Sequence, residues 1–452
     1  MRGASRREPH DFAPRSDDDS GGWPLDFDQL RPHLDAAHAT WTGTRADYDA
    51  THWSDEAHPL LTFAGDALHT RIAYHGASDV WSVAHRDLLE RAENVAVVPD
   101  HTVVTLKTGA SGRVASAVVV DREGQRSTVR ASSFVLTAGG IENVQLLLAS
   151  DLTAPGARGN VADQIGRYIT DHPEFRLGTI VLDDPGVVDR LGLYDIRIVG
   201  DALVSGFLTI DPARRQADRL RNMSVVLVPQ RDGFGSPAER ALKSLAGLRR
   251  GQVPAGILGS VKTVATSVGD DIAVLRHYRR DYEEYRGGWS RPEVDRRPYT
   301  RIELWAATEQ SPDPDNRVTL LPGRDPYGRQ RPHLRWRWSE ADRASARRSM
   351  AIVAGEFERT GLGTFVPWAV LEGPDRPFYA GIHHPMGGTR MHADPTRGAV
   401  DVDCRVHGSD NLYVAGSSVF TTGLGYANPT LTLLALADRL GRHLQSRIPN
   451  AG

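Results

Sequence analysis

The chain has 452 residues, a formal net charge of -3 and 25% charged side chains, which is long enough for two domains or one large two-part domain with an ample core. This near-neutral balance excludes a global electrostatic pull toward nucleic acid or acidic membranes. The lone cysteine, Cys404, rules out a disulfide framework and argues against a thiolate zinc site.

No apolar run reaches the length of a membrane span. The N-terminus is polar (Arg2, Arg6, Arg7, Glu8, Asp17 to Asp19) and lacks the pattern of a secretory signal, so a cytoplasmic protein is expected. Residues 1 to 22 read as loop, yet Phe12, Trp23, Pro24 and Phe27 are poor residues for a disordered tail, and the segment is expected to be packed. Phe27 to Ala39 has helical spacing.

Residues 80 to 150 read as an α/β unit. Val80 to Arg91 predicts a helix and Val95-Ala96-Val97-Val98 a short buried strand. Strands follow over Thr102 to Leu106 and Ala115 to Val120. Ser133 to Ala138 is a β-rich run stopping at Gly139-Gly140, and Ile141, Val144, Leu147 and Leu148 then recur with helical spacing. A strand ending in small residues before a helix N-terminus is where α/β folds hold anionic ligands; it is also an ordinary strand–helix turn, and this stretch alone leaves both open.

Asn160 to Pro173, with Asp171-His172-Pro173, is turn-rich and marks a candidate domain boundary. From Phe175 to about Trp368, short alternating runs (Ser224 to Val228, Thr300 to Ala307, Arg317 to Leu320, Leu334 to Trp338) predict an antiparallel sheet. Helical stretches near Pro237 to Arg249, Val253 to Arg280 and Glu340 to Thr360 accompany it.

Three patterns are set aside. Gly233-Phe234-Gly235-Ser236-Pro237-Ala238 fits a dinucleotide fingerprint, but Pro229 to Asp232 separate it from the preceding strand. His277 to Arg301 interleaves arginines with aromatics, but five acidic residues (Asp281, Glu283, Glu284, Glu293 and Asp295) blunt it, so it reads as a solvated surface or a lid. His383, His384, His392 and His407 lack metal-ligand spacing and a supporting acidic or thiolate cluster.

The C-terminal run carries the most information: His384-Pro385-Met386-Gly387-Gly388-Thr389-Arg390-Met391, then Val414-Ala415-Gly416-Ser417, then Asn428-Pro429-Thr430 opening an apolar helix. It resembles the signature of the glucose-methanol-choline (GMC) family of FAD-dependent oxidoreductases, in the branch of pyranose oxidase and related sugar or glycoside oxidoreductases. Thr137 to Asn143, Gly166-Arg167, Asp171-His172, Glu309-Gln310 and Asn316-Arg317-Val318 are similar to further family segments, so the likeness runs through the chain.

The resemblance implies an α/β fold: a Rossmann-like FAD-binding domain in two parts (80–173 and 371–452), an α+β substrate domain with an antiparallel sheet (174–370), and a packed linking segment (1–79). It implies non-covalent FAD held by Val103, Ala138, Gly139, Gly416, Ser417, Pro429 and Thr430, with His384 and Asn428 catalytic in the oxidation of a CH–OH group. A sugar, glycoside or other alcohol is the implied substrate, with oxygen, a quinone or a redox protein as electron acceptor. No metal, nucleic-acid or membrane partner is implied. The family's opening Gly-x-Gly-x-x-Gly turn has no counterpart here, and roughly one small domain's worth of chain is expected to be missing. The competing expectation is therefore an FAD-deficient remnant acting as a binding or scaffold protein.

Overall fold

The computed structural model describes residues 3–14, 22–76, 83, 85–109, 112–153, 160, 162–231, 262, 289–290, 299–367, 384–425 and 428–447. The predicted helix at 237–249, all of the one at 253–280 but residue 262, the glycine pattern at 233–238, most of 277–301 and His383 lie outside them. In chain order the elements are α1 (Phe27–Thr42), β1 (Leu68–Tyr74), α2 (His85–Arg91), β2 (Thr102–Thr108), β3 (Val114–Val120), β4 (Arg126–Val129), β5 (Phe134–Leu136) and α3 (Gly140–Leu148). There follow β6 (Glu174–Leu182), β7 (Arg197–Val199), β8 (Ala202–Ile210), α4 (Pro212–Ala217), β9 (Met223–Arg231), β10 (Tyr299–Thr308), β11 (Arg317–Arg324) and β12 (Gln330–Arg335). The last are α5 (Glu340–Thr360), β13 (Gly363–Pro367), β14 (Leu412–Val414) and α6 (Thr430–Arg447), with short 3-10 turns between.

A seven-stranded antiparallel sheet, ordered β1-β8-β9-β10-β6-β13 with β7 beside β8, forms the larger body. In β10 the alternate residues Ile302, Leu304 and Ala306 are wholly buried, the period-2 face that the sequence predicts. Several strands were not foreseen, among them β4, β6, β7, β8 and β13. Nor was β1, which lies within residues 1–79 yet pairs along its whole length with β8. The helix α5 matches its predicted bounds because its ends are written locally. Ser339 accepts the Asp342 N–H at 3.1 Å, and Gly361 closes the helix in the left-handed region.

The smaller body joins the two ends of the described chain. The strand β5 pairs in parallel with β14, Phe134 opposite Leu412 and Leu136 opposite Val414. The strands β2, β3 and β4 form a separate antiparallel sheet. An Asp26–Gln29 capping box starts α1, which buries Leu30, Leu34, Ala37 and Trp41 and packs on α6, where His33 Nδ1 lies 2.7 Å from Asp438. The expected packing of the N-terminal segment is found, since Phe12 and Trp23 are core residues.

The strand expected at Val95–Val98 is not there. These residues are unpaired coil, with Val95, Val97 and Val98 exposed by 42%, 66% and 64%. The predicted Val80–Arg91 helix is described from His85 onward, and no residue of α2 is buried. A short apolar run has strand potential but becomes a strand only where a neighbouring edge accepts it.

Candidate active site

The strands β5 and β14 run side by side, and both end at a glycine in the left-handed half of backbone space, Gly139 at φ +100° and Gly416 at φ +126°. Each glycine opens a helical turn, α3 after Gly139 and the 3-10 turn Ser417–Val419 after Gly416. A buried side chain joins the two turns. Asn143 accepts the Ala138 N–H at 2.8 Å and donates to the Ala415 carbonyl at 3.3 Å and to the Ser418 hydroxyl at 3.2 Å. Neither glycine supplies a capping side chain, so the first-turn amides of both turns point past the strand ends.

The His384 loop is held against this edge. Ser417 Oγ donates to the Pro385 carbonyl at 2.7 Å, and the amides of Gly387, Thr389 and Met391 donate to the carbonyls of Ser417, Ser418 and Val419 at 3.1, 3.0 and 2.9 Å. On its other side, Thr170 and Met386 exchange reciprocal backbone bonds of 2.9 Å. The backbones approach so closely that a Cβ at Gly387 would sit 2.1 Å from the Tyr168 carbonyl. His384 is half-buried, and the His172 ring meets it edge to face at a centroid distance of 5.3 Å.

Asn428 caps α6, its Oδ1 accepting the Thr430 N–H at 3.1 Å, and Pro429 is buried. Val103 stands apart on β2 and is 36% exposed. That strand is tied to the far end of α3, Thr105 Oγ1 donating to the Ala149 carbonyl at 2.9 Å and the Leu106 N–H to Ser150 Oγ at 2.9 Å. The structure thus gathers Ala138, Gly139, Gly416, Ser417 and the His384 loop at one edge. Val103 lies apart from it, on the strand tied to the other end of α3.

The sequence did not single out Asn143, or a buried polar chain behind His384. Asn222 Nδ2 donates to Asp11 at 3.2 Å, the Glu309 N–H donates to the Asn222 carbonyl at 2.8 Å, and the Asp171 N–H donates to Gln310 Oε1 at 3.2 Å. Burial pushes the Asp171 carboxyl up to about 7, against the pull of the His172 and His384 backbone amides directed at it. Burial also opposes ionisation of Asp11, but His10, Arg71 and Arg215 outweigh it and hold that carboxyl below its usual range. Over this chain lies the N-terminal strap. The Arg7 guanidinium sits 4.5 Å from the Trp23 ring centroid and donates to the Thr422 carbonyl at 3.0 Å, while Trp23 Nε1 donates to Thr422 Oγ1 at 2.9 Å. Among the described residues no group of three or more His, Cys, Asp or Glu side chains is placed to hold a metal ion.

Parallel strands that turn through left-handed glycines into uncapped helix N-termini fit the anionic part of a dinucleotide. Beside a histidine-bearing loop, they define an α/β fold with a candidate dinucleotide-binding edge. Residues 312–437 match the C-terminal domain of the GMC oxidoreductase family. It is similar to the fructose dehydrogenase large subunit of Gluconobacter japonicus (24% identical, over 76% of this chain and 52% of that one). It is also similar to the pyranose 2-oxidase of Lyophyllum shimeji (25%, over 70% and 44%) and the C-glycoside 3-oxidase of Microbacterium trichothecenolyticum (25%, over 83% and 60%). The chain thus spans about half the length of these relatives. The fold is similar to that of pyridoxine 4-oxidase from Mesorbium loti, with a TM-score of 0.51 at 18% identity, over 99% of this chain and 81% of that one.

Proposed function

We propose that the protein is an FAD-dependent oxidoreductase that oxidises a CH–OH group of a sugar, a glycoside or a related alcohol. One observation carries the reading: the His384 loop is bonded along its length to the Ser417–Val419 turn, at the edge where both glycine turns open. The names of the three relatives, two sugar oxidoreductases and a glycoside oxidase, support the substrate class.

In this reading Gly139, Ala138, Gly416 and Ser417 hold FAD near its anionic groups, Pro429 and Thr430 meet it from the start of α6, and Val103 offers backbone groups to its adenine. FAD, when bound, supplies the hydride acceptor. His384 accepts the proton of the substrate hydroxyl, a task suited to an imidazole near neutral pH. Asn428 steadies the same oxygen. With its Oδ1 committed to the Thr430 amide, its Nδ2 is the donor end, which strengthens its bond as alkoxide character develops. The Ser417–Pro385 and Thr170–Met386 bonds hold the His384 backbone, so the base meets the substrate already oriented.

The test is turnover by flavin-loaded protein against a panel of sugars, glycosides and simple alcohols, read with a redox dye. His384→Ala and Asn428→Ala each lower turnover at least ~100-fold, the typical worth of general-base or oxyanion help, with the flavin absorbance kept. Wild-type-like turnover in both variants overturns the assignment.

A second reading, a non-catalytic binding protein, is favoured by the exposed apolar residues Leu88, Leu89, Val95, Val97 and Val98, which are of the kind that mark interaction surfaces. Absorbance of the purified chain with and without added FAD separates the two, since only the first requires a flavin band.

A further inference from the structure

We propose that His172 is a positioning residue that couples the His384 loop to the 420–425 segment preceding Asn428, its ring packing on the His384 imidazole while its Nδ1 accepts the Gly425 N–H. The inference rests on the reading of His384 and Asn428 as the catalytic pair.

His172 stands where the chain passes from the His384 loop into the large sheet. Just before it, Thr170 and Met386 exchange backbone bonds of 2.9 Å, and this antiparallel register sets residue 172 opposite residue 384. Just after it, the Pro173 carbonyl accepts the Thr308 N–H at 3.0 Å, and β6 begins at Glu174. Asp171 Oδ1 accepts the His172 N–H itself at 2.6 Å. The residue is only 5% exposed, and its ring meets that of His384 at a centroid distance of 5.3 Å with planes 68° apart.

The second contact reaches the other half of the site. The Gly425 N–H donates to His172 Nδ1 at 3.3 Å, three residues before Asn428 in the chain. Gly425 is held tightly at this point. Its φ is +69°, and an added Cβ would stand 2.5 Å from the Glu309 nitrogen and 2.6 Å from the Asn222 carbonyl oxygen. Ser224 Oγ also donates to the Gly425 carbonyl at 3.4 Å. The backbone is thus wedged between the start of β9 and the end of β10, where a buried N–H without an acceptor is costly. The Thr422 bonds to Arg7 and Trp23 secure the earlier part of this segment, and the His172 bond secures the part nearer Asn428.

An imidazole meets both demands, because one planar ring carries an aromatic edge and an in-plane acceptor. Accepting at Nδ1 puts the proton of a neutral His172 on Nε2. Two substitutions separate the contacts. His172→Phe keeps a ring beside His384 but turns a C–H toward the Gly425 amide. His172→Asn gives up the ring but places an amide oxygen where Nδ1 was.

In isotope-labelled wild-type protein, a scalar coupling across the hydrogen bond is expected between the Gly425 amide nitrogen and His172 Nδ1. A missing coupling overturns the proposal even if neither variant folds. Hydrogen exchange on the whole chain is expected to show the Gly425 amide exchanging about tenfold faster or more in His172→Phe and staying slow in His172→Asn. In flavin-loaded protein, His172→Phe is expected to lower kcat about tenfold or more with KM within about twofold, because binding groups remain while the reacting pair is misaligned. His172→Asn is expected to turn over at least about threefold faster than His172→Phe. Wild-type kcat in His172→Phe overturns the positioning role, and an equal loss in both variants overturns the part given to the Gly425 bond. Failure of the functional reading shows separately, as full turnover by His384→Ala, and leaves the coupling and exchange results to decide on the joint.

Discussion

Asn143 and Ser418 face each other with Nδ2 3.2 Å from Oγ, one bond of a buried amide that joins the α3 turn to the turn after β14. Removing it has a calculable effect. Asn143→Ala strips the partner from the Ala138 N–H and from the Ala415 carbonyl, and the expected cost is ~2–3 kcal/mol by urea unfolding. Asn143→Asp keeps the acceptor for Ala138 but turns a second oxygen toward the Ala415 carbonyl and Ser418, so it destabilises at least as much as alanine. A neutral Asn143→Asp variant would show that the two turns are held by something else.

This junction was only half legible in the sequence. The Ser133–Ala138 run and the glycines after it announce a strand–helix turn, because strand and helix periods are local properties. Nothing local says that Phe134–Leu136 pairs with Leu412–Val414, since the two are far apart in the chain and parallel register leaves no turn to read. The same limit explains Asp171-His172-Pro173, which reads as a turn but is the partner of the His384 loop. Val95–Val98 fails the other way, with a β-rich composition and no strand pairing with it among the described residues.

Stability should carry a signature of Asp171 in its pH dependence. Its folded-state carboxyl is raised from 3.8 to about 7 by burial, so between those values the native chain keeps a proton that the unfolded chain has released. Its contribution is complete below pH 3.8 and is lost as pH rises toward 7, with a slope of at most ~1.4 kcal/mol per pH unit. His38 and His75 act oppositely, because burial drives both imidazoles from 6.5 to about 4, and stability from them is lost as pH falls through that window. Asp171→Asn should remove only the falling component. Its urea midpoint rises more steeply than wild type from pH 4 to 6.5 and stays flatter from 6.5 to 7.5. Parallel curves for the two proteins would refute the assignment. His52, whose pKa is raised by the Asp47 carboxylate, also titrates, but it is common to both proteins and cancels in the difference.

The N-terminal strap is expected to be integral to the site, not an appendage. Trp23→Phe keeps the ring against Phe420, 5.4 Å away, and deletes only the bond to Thr422, so it should cost ~1 kcal/mol. Arg7→Ala empties a fully buried volume among Phe12, Trp23 and Phe420 and should cost ~3 kcal/mol or more. Thermal unfolding of both variants checks the ranking. If Arg7→Ala melts with wild type, the strap is not part of the cooperative unit.

The exposed run at Val95, Val97 and Val98 calls for the opposite result. With 66% of its surface in water, Val97 contributes little to the folded state, and Val97→Ser should alter stability by less than ~0.5 kcal/mol. Solvent-facing apolar surface should instead report itself through a hydrophobic dye. Replacing all three valines with serine is expected to lower 8-anilinonaphthalene-1-sulfonate fluorescence of the native chain while leaving its melting temperature within about 2 °C. A large loss of stability in the triple variant would mean that these side chains are covered in solution, by another part of the polypeptide or a second copy. Their exposure would then not describe the working protein.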